Sequence, residues 1–175
     1  NGQKMESAIT ALMTVAYAFD GLPNLKFRIS GFTTGDLTEE VLIKDYTEPV
    51  NIQKIRSLYA YNGNCDGINL LAAVKRLAKH PTKKRLIVII SDGQPAYTDG
   101  IDHTAKVVRL AKRLGINVIG IGIPGCTIKA FENIYPNRMY FEETSQINVG
   151  LANIILDTVN KPKNQQRLVR RRWEE

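Results

Sequence analysis

Two cysteines in 175 residues, Cys65 and Cys126, are too few for a disulfide framework or, by themselves, a zinc site. They are lone thiols in different loops, a setting in which cysteine is more often inert than reactive. Histidine is as scarce. His80 precedes a proline at a helix end and His103 lies on a solvated stretch, and both read as surface residues. No Ser/His/Asp or Cys/His catalytic set can be assembled from them. No apolar run approaches membrane-spanning length, and no signal-peptide pattern opens the chain. The expectation is a cytoplasmic location without membrane contact. Repeats, low-complexity tracts and internal linkers are likewise missing.

What is present suits one soluble domain with a sizeable core: 43% hydrophobic and 23% charged residues are ordinary for a globular protein. The formal net charge of +7 would suggest nucleic acid if it were spread over the fold. It is concentrated instead. Residues 161–175 carry six Lys/Arg against two Glu, a net +4 that leaves +3 for residues 1–160. The reading is therefore a domain over residues 1–160 with a basic extension over 161–175, and nucleic-acid binding is not the expected role. The extension is either helical, anchored by Leu168, Val169 and Trp173, or disordered.

The chain is organised around Leu86 to Ile90, a short, uninterrupted apolar run ending abruptly in Ser91-Asp-Gly93. Such a run suits a strand buried on both faces of a parallel sheet. In open α/β sheets, ligands gather beyond the carboxyl ends of strands, which places Ser91 and Asp92 where chemistry is usually done. Ser-Asp-Gly-x-Pro is also a good turn sequence. On these residues alone, the two readings are level.

Residues 1–19 carry apolar positions at helical spacing, almost all round between Ser7 and Ala18, which predicts a buried helix. A buried helix with no strand before it leads to the expectation of an apolar strand upstream of Asn1. Strict alternation over 25–32 predicts a half-buried strand, with Gly31 admitting a bulge or a close neighbour. Thr33 to Asp36 turns the chain into a short antiparallel edge strand at Val41 to Ile43, and a short helix follows over 52–59. Loops are expected over 59–64 and 97–100. Residues 66–79 form an amphipathic helix with Asp66 as N-cap and Ile68, Leu71, Ala72, Val74, Leu77 and Ala78 on its buried face. Further helices are expected over 102–114, ended by Gly115, over 128–134, and over 146–159. Strands are expected at 116–123 and 139–141. The fold class is α/β: a Rossmann-like, doubly wound, mostly parallel sheet with one antiparallel edge strand and helices on both faces.

Two motifs fail on inspection. Asn62-Gly-Asn-Cys-Asp-Gly67 imitates the start of an EF-hand loop, but the twelfth position, which needs a bidentate Glu, is Ala73. Gly120-Ile-Gly-Ile-Pro-Gly125 has dinucleotide-binding spacing, yet its isoleucines continue a strand and Pro124 interrupts it. It reads as a strand whose glycines allow close packing.

Four stretches taken in order resemble a von Willebrand factor A-type domain: Gly31-Phe-Thr-Thr34, Asn64-Cys-Asp-Gly67, Ile89-Ile-Ser-Asp-Gly-Gln-Pro95 and Ile119-Gly-Ile-Gly122. Within that superfamily the wording is most similar to the A domains of nitric oxide reductase activation proteins and of the cobaltochelatase T subunit. The resemblance implies a metal-ion-dependent adhesion site at the carboxyl end of the sheet, built from Asp-x-Ser-x-Ser after the first strand, a Thr before a later helix, and an Asp after the fourth strand. Asp92 matches the last, with Ser91 beside it. Asn64 falls where the Thr usually stands, with Asp66 two residues on. Asp-x-Ser-x-Ser would lie just ahead of Asn1. What the resemblance implies is a non-enzymatic binding domain in which Mg²⁺, or another divalent cation, held by Asp92, Asn64, Asp66 and Ser91, accepts a carboxylate from a protein partner. That partner would be an AAA+ ATPase or another component of a chelatase or metalloenzyme-activation complex. The alternatives are a Rossmann-like enzyme using Asp92 and nucleic-acid binding through the basic extension.

Overall fold

A computed structural model of the chain describes residues 2–34, 38–59, 63–95 and 100–140. In chain order these form α1 (Gly2–Asp20), β1 (Ile29–Thr34), β2 (Thr38–Lys44), α2 (Ile52–Arg56), α3 (Asp66–Ala78), β3 (Arg85–Ser91), α4 (Gly100–Arg113), β4 (Ile116–Gly122), α5 (Ile128–Ile134) and β5 (Arg138–Tyr140). The expected helix over 146–159, the basic extension and most of the 97–100 loop lie outside the described residues, as do parts of the 33–36 turn and the 59–64 loop.

β3, β4 and β5 form a parallel sheet in that order, Ser91 standing beside Gly122 and Gly122 beside Tyr140. β1 and β2 pair antiparallel as a separate two-stranded sheet. The α/β class, the parallel sheet and the antiparallel pair are therefore as the sequence implies.

The side chains of β3 alternate between two layers, as a strand must. Leu86, Val88 and Ile90 face α1, packing with Ala11, Val15, Phe19 and Ile121. Ile87 and Ile89 face the other way, into a core with Leu70 and Val74 of α3, Val107 and Val108 of α4, and Phe131, Ile134 and Tyr135. The remainder of α1 reaches the other sheet, where Ala16 packs with Ile29, Ile43 and Ile55. Between the two sheets lies a cleft of about 1980 Å³, lined by residues 29–33 of β1 and by the whole of β3. The cleft leaves Leu86, Ile87, Val88 and Ile90 only partly buried, where the apolar run had predicted complete burial.

Several local expectations are corrected. α1 is not buried all round: Tyr17 is 63% exposed, and the buried set is Ser7, Ala11, Val15, Ala16 and Phe19. Regular pairing of β1 begins only at Ile29, although Leu25 and Phe27 still pack against the core. The bulge falls one or two residues before Gly31. Ile29 stands opposite Lys44 but Ser30 opposite Leu42, so Ile43 is the extra residue, and its side chain is buried. α2 stops at Arg56 instead of reaching residue 59: Asn51 caps its start by accepting from Lys54 N, and Ser57 closes its end. The expected face of α3 holds for Leu71, Val74, Leu77 and Ala78, which pack in or against the core, but Leu70 is buried as well, whereas Ile68 is 40% exposed and Ala72 is exposed. His80 is half-buried, its ring 5.0 Å from that of Tyr46, and His103 is half-buried on α4.

The glycines of β4 do allow close packing. A Cβ at Gly120 would lie 2.5 Å from Cγ of Tyr135 and 2.8 Å from Cζ of Phe131, so those two rings lie directly on the strand backbone.

Candidate functional site

The carboxyl edge of the parallel sheet is assembled from the ends of β3 and β4, the start of α3 and the first turn of α1. Ser91, the last residue of β3, is buried. Its hydroxyl donates to Oδ2 of Asp66 at 2.6 Å and accepts from Gly93 N at 3.1 Å. Asp66 is fully buried at the first position of α3, not at the N-cap expected for it; Cys65 holds the cap position. The helix start still favours a negative charge there. The Asn64 amide donates to Oδ1 of Asp66 at 3.0 Å. Ser91, Asp66 and Asn64 thus form one hydrogen-bonded chain, in which the carboxylate is the acceptor at both ends.

Asp92 stands apart from that chain. Its Oδ1 accepts from Gln94 N at 3.1 Å, a turn contact, and its backbone oxygen accepts from Thr127 N at 3.0 Å. Its Oδ2 accepts from the Lys4 ammonium at 3.0 Å. The two readings of Ser-Asp-Gly are therefore both realised: one carboxylate oxygen makes the turn, while the other is held by a cationic side chain. Gly93 allows the turn, with φ +70 and an imaginary Cβ only 3.1 Å from the Phe131 side chain. Gln94 Nε2 donates to Thr127 Oγ1 at 2.7 Å, so the loop after β3 is tied to the loop after β4 at two points.

Both cysteines flank this edge. Cys65 is buried beside Asp66. Burial first, and then the Asp92 charge, push the Cys126 thiol above its ordinary value, against a smaller lowering by Lys4. The protonated thiol is therefore favoured, in keeping with inert character.

Asn64, Asp66, Ser91 and Asp92 all line the cleft between the sheets, as does Lys4. Among the described residues, no three His, Cys, Asp or Glu side chains gather as a metal-binding group. The donor chemistry nonetheless fits a hard cation: two carboxylates, a hydroxyl and an amide oxygen, the kind of oxygen set that Mg²⁺ takes alongside several waters. Lys4, Gln94 and Thr127 were not anticipated from the sequence. Lys4 did carry a signal, since a cation in the first turn of a helix opposes the helix dipole and needs a compensating partner.

A sequence model described as von Willebrand factor type A domain matches residues 1–154. No curated relative matches the chain significantly. Among solved structures, proximal thread matrix protein 1 from the mussel byssus superposes with TM-score 0.65 at 16% identity, covering 87% of this chain and 43% of that one. This chain thus spans less than half the length of the mussel protein. An aerotolerance-related membrane protein from Bacteroides fragilis gives 0.64 at 15% identity, covering 90% of this chain and 89% of its own. The conserved hypothetical protein BatB from Bacteroides thetaiotaomicron gives 0.66 at 12% identity, covering 91% and 93%. At these identities the three likenesses bear on the fold. Among the described residues, no helix is long and apolar enough to cross a membrane.

Proposed function

The chain belongs to the von Willebrand factor type A domain family, and on that premise we propose that it is a non-catalytic protein-binding module whose carboxyl-edge loops hold a divalent cation. Asp92 would be the principal carboxylate, with Ser91, Asn64 and Asp66 contributing oxygens directly or through water. When bound, the ion would supply an open coordination position for a carboxylate of the partner. The chain's own residues supply the rest. Ser91 and Asn64 orient the Asp66 carboxylate, the Gly93 turn holds one Asp92 oxygen on Gln94 N, and the Thr127 contacts hold that turn against the neighbouring loop.

The observation that carries this reading is that Asp92, at the carboxyl end of β3, directly follows Ser91, whose hydroxyl donates to Asp66, which also accepts from Asn64. For the partner, an AAA+ ATPase or a chelatase-type component is favoured by the Asn-x-Asp-Gly and Ser-Asp-Gly-x-Pro wording, which resembles that of the cobaltochelatase family.

The test is Asp92→Ala, assayed by Mg²⁺ titration calorimetry and by co-purification with an AAA+ ATPase in Mg²⁺ and in EDTA. The expected result is loss of Mg²⁺ binding and of Mg²⁺-dependent co-purification. Without metal, stability should change by no more than about 1 kcal/mol, the scale of a partly exposed ion pair. Unaltered metal and partner binding by the variant would overturn the reading and leave Asp92 as a turn residue.

A further inference from the structure

We propose that Lys4 is a tethered counter-cation of this site: its ammonium holds Asp92 in the metal-free protein and must be displaced before a divalent ion can bind there. The inference rests on the metal-assisted reading above and adds to it a built-in competitor.

Lys4 Nζ lies 3.0 Å from Asp92 Oδ2, in an ion pair joining residues 88 positions apart. Lys4 is the third residue of α1, whose first turn contains no acidic side chain. The backbone N–H groups at that end of a helix carry partial positive charge, so a lysine there is opposed by its own helix. The opposing field is compensated from outside the helix, by Asp92. The lysine stem is also placed by the loop after β4: an added Cβ at Gly125 would sit 3.4 Å from Lys4 Cε. Lys4 lines the same cleft as Asn64, Asp66, Ser91 and Asp92.

Electrostatics then sets the consequence. A divalent ion approaching Asp92 while Lys4 is in place meets an attraction and a repulsion of similar range, and the pair offers it little net field. Lysine is well suited to yielding, having a flexible four-carbon stem and a strongly hydrated head. Its side chain is 38% exposed, so water is within reach when it swings away. Lys4 therefore balances the Asp92 charge when no metal is bound, and lowers the affinity of the site for one.

The experiment uses the full chain stripped with EDTA, as wild type, Lys4→Met, Asp92→Asn, the double variant, and Lys75→Met as a control for overall charge. Lys75 is exposed on α3, nine residues beyond Asp66. Calorimetric titration with MgCl₂ and MnCl₂ should show Lys4→Met binding roughly fivefold more tightly than wild type, the scale of one partly exposed ion pair, with Lys75→Met within about twofold of wild type on the same scale. In EDTA, urea unfolding of the double variant should fall short of the summed effects of the two single variants, because each removes the same pair. Equal cation affinity in wild type and Lys4→Met, with binding still lost in Asp92→Asn, would overturn the proposal and leave the metal-assisted reading standing. Failure of wild type and Lys4→Met alike to bind either ion would overturn that reading, and this proposal with it.

Discussion

Ser91 and Asp92 are neighbours with different duties. The Ser91 hydroxyl spans two buried groups, donating to Asp66 and accepting from Gly93 N. Removing one partner of a buried carboxylate costs more than removing a partly exposed charge, because the remaining polar groups cannot turn to water. Ser91→Ala is therefore expected to lower unfolding stability by about 2 kcal/mol, measured by urea denaturation in EDTA, a larger loss than that caused by Asp92→Ala. If Asp92→Ala proved the more damaging of the two without metal, the division into a supporting serine and a presenting aspartate would be wrong. The serine and aspartate were both visible as a strand-end pair. The family resemblance also grouped Asp66 with them, but the direct Ser91–Asp66 hydrogen bond was not legible, because the two residues are 25 positions apart and Asp66 read locally as a helix cap.

Glu40 of β2 works at the scale of whole elements. It makes a bidentate contact with Arg76 of α3 and an ion pair with Arg28 at 3.4 Å, tying the antiparallel pair to the helix that also covers β3. Burial raises the Glu40 carboxyl, but a hydrogen bond from Ser30 and the Arg76 and Arg28 charges outweigh it and hold the group below its ordinary value. A carboxylate lowered on folding contributes stability above its unfolded pKa, and that contribution is lost as pH falls through the folded value. Glu40→Gln should therefore be less stable than wild type by about 1 kcal/mol at pH 7, and the difference should shrink toward zero in acid, below the ordinary carboxylate range. Unfolding curves from pH 7 down to pH 3 measure it; a gap that stays constant or widens in acid would refute the assignment. Element positions were largely legible: α5 was expected over its observed 128–134, and β4 and α3 to within a residue or two. Their faces were less so. Ile68 and Leu70 fit an amphipathic pattern equally well, and only packing against β3 and α4 selects Leu70.

For the molecule as a whole, the decisive feature is the cleft between the two sheets. α1 contributes to the cores on both sides of it, through Ala11 and Val15 toward β3 and through Ala16 toward Ile29 and Ile43. Phe27, Ile29, Leu86, Val88 and Ile90 line the cleft and give it an apolar character. An open apolar cavity of this size should bind the dye 8-anilinonaphthalene-1-sulfonate, with enhanced and blue-shifted fluorescence, while the near-ultraviolet circular dichroism of fixed aromatic packing is retained. Retained dichroism separates such a cleft from a molten globule, which also binds the dye but loses that signal. A chain with fixed packing and no dye binding would contradict the open cleft.

The sequence by itself determined what depends on neighbours along the chain: the apolar runs of β3 and β4, the glycine stops after α4 and β3, the α/β class, and the ordered motifs that resemble the family the chain belongs to. These are legible because periodicity and turn chemistry act over a few residues. Tertiary structure alone decided the bulge at Ile43, the buried face of α3, the division into two sheets around a cleft, and the joining of Asp66 to Ser91 and of Lys4 to Asp92. Each of these is a contact between distant positions. It is selected by the shape and charge of what packs opposite, which a local pattern does not encode.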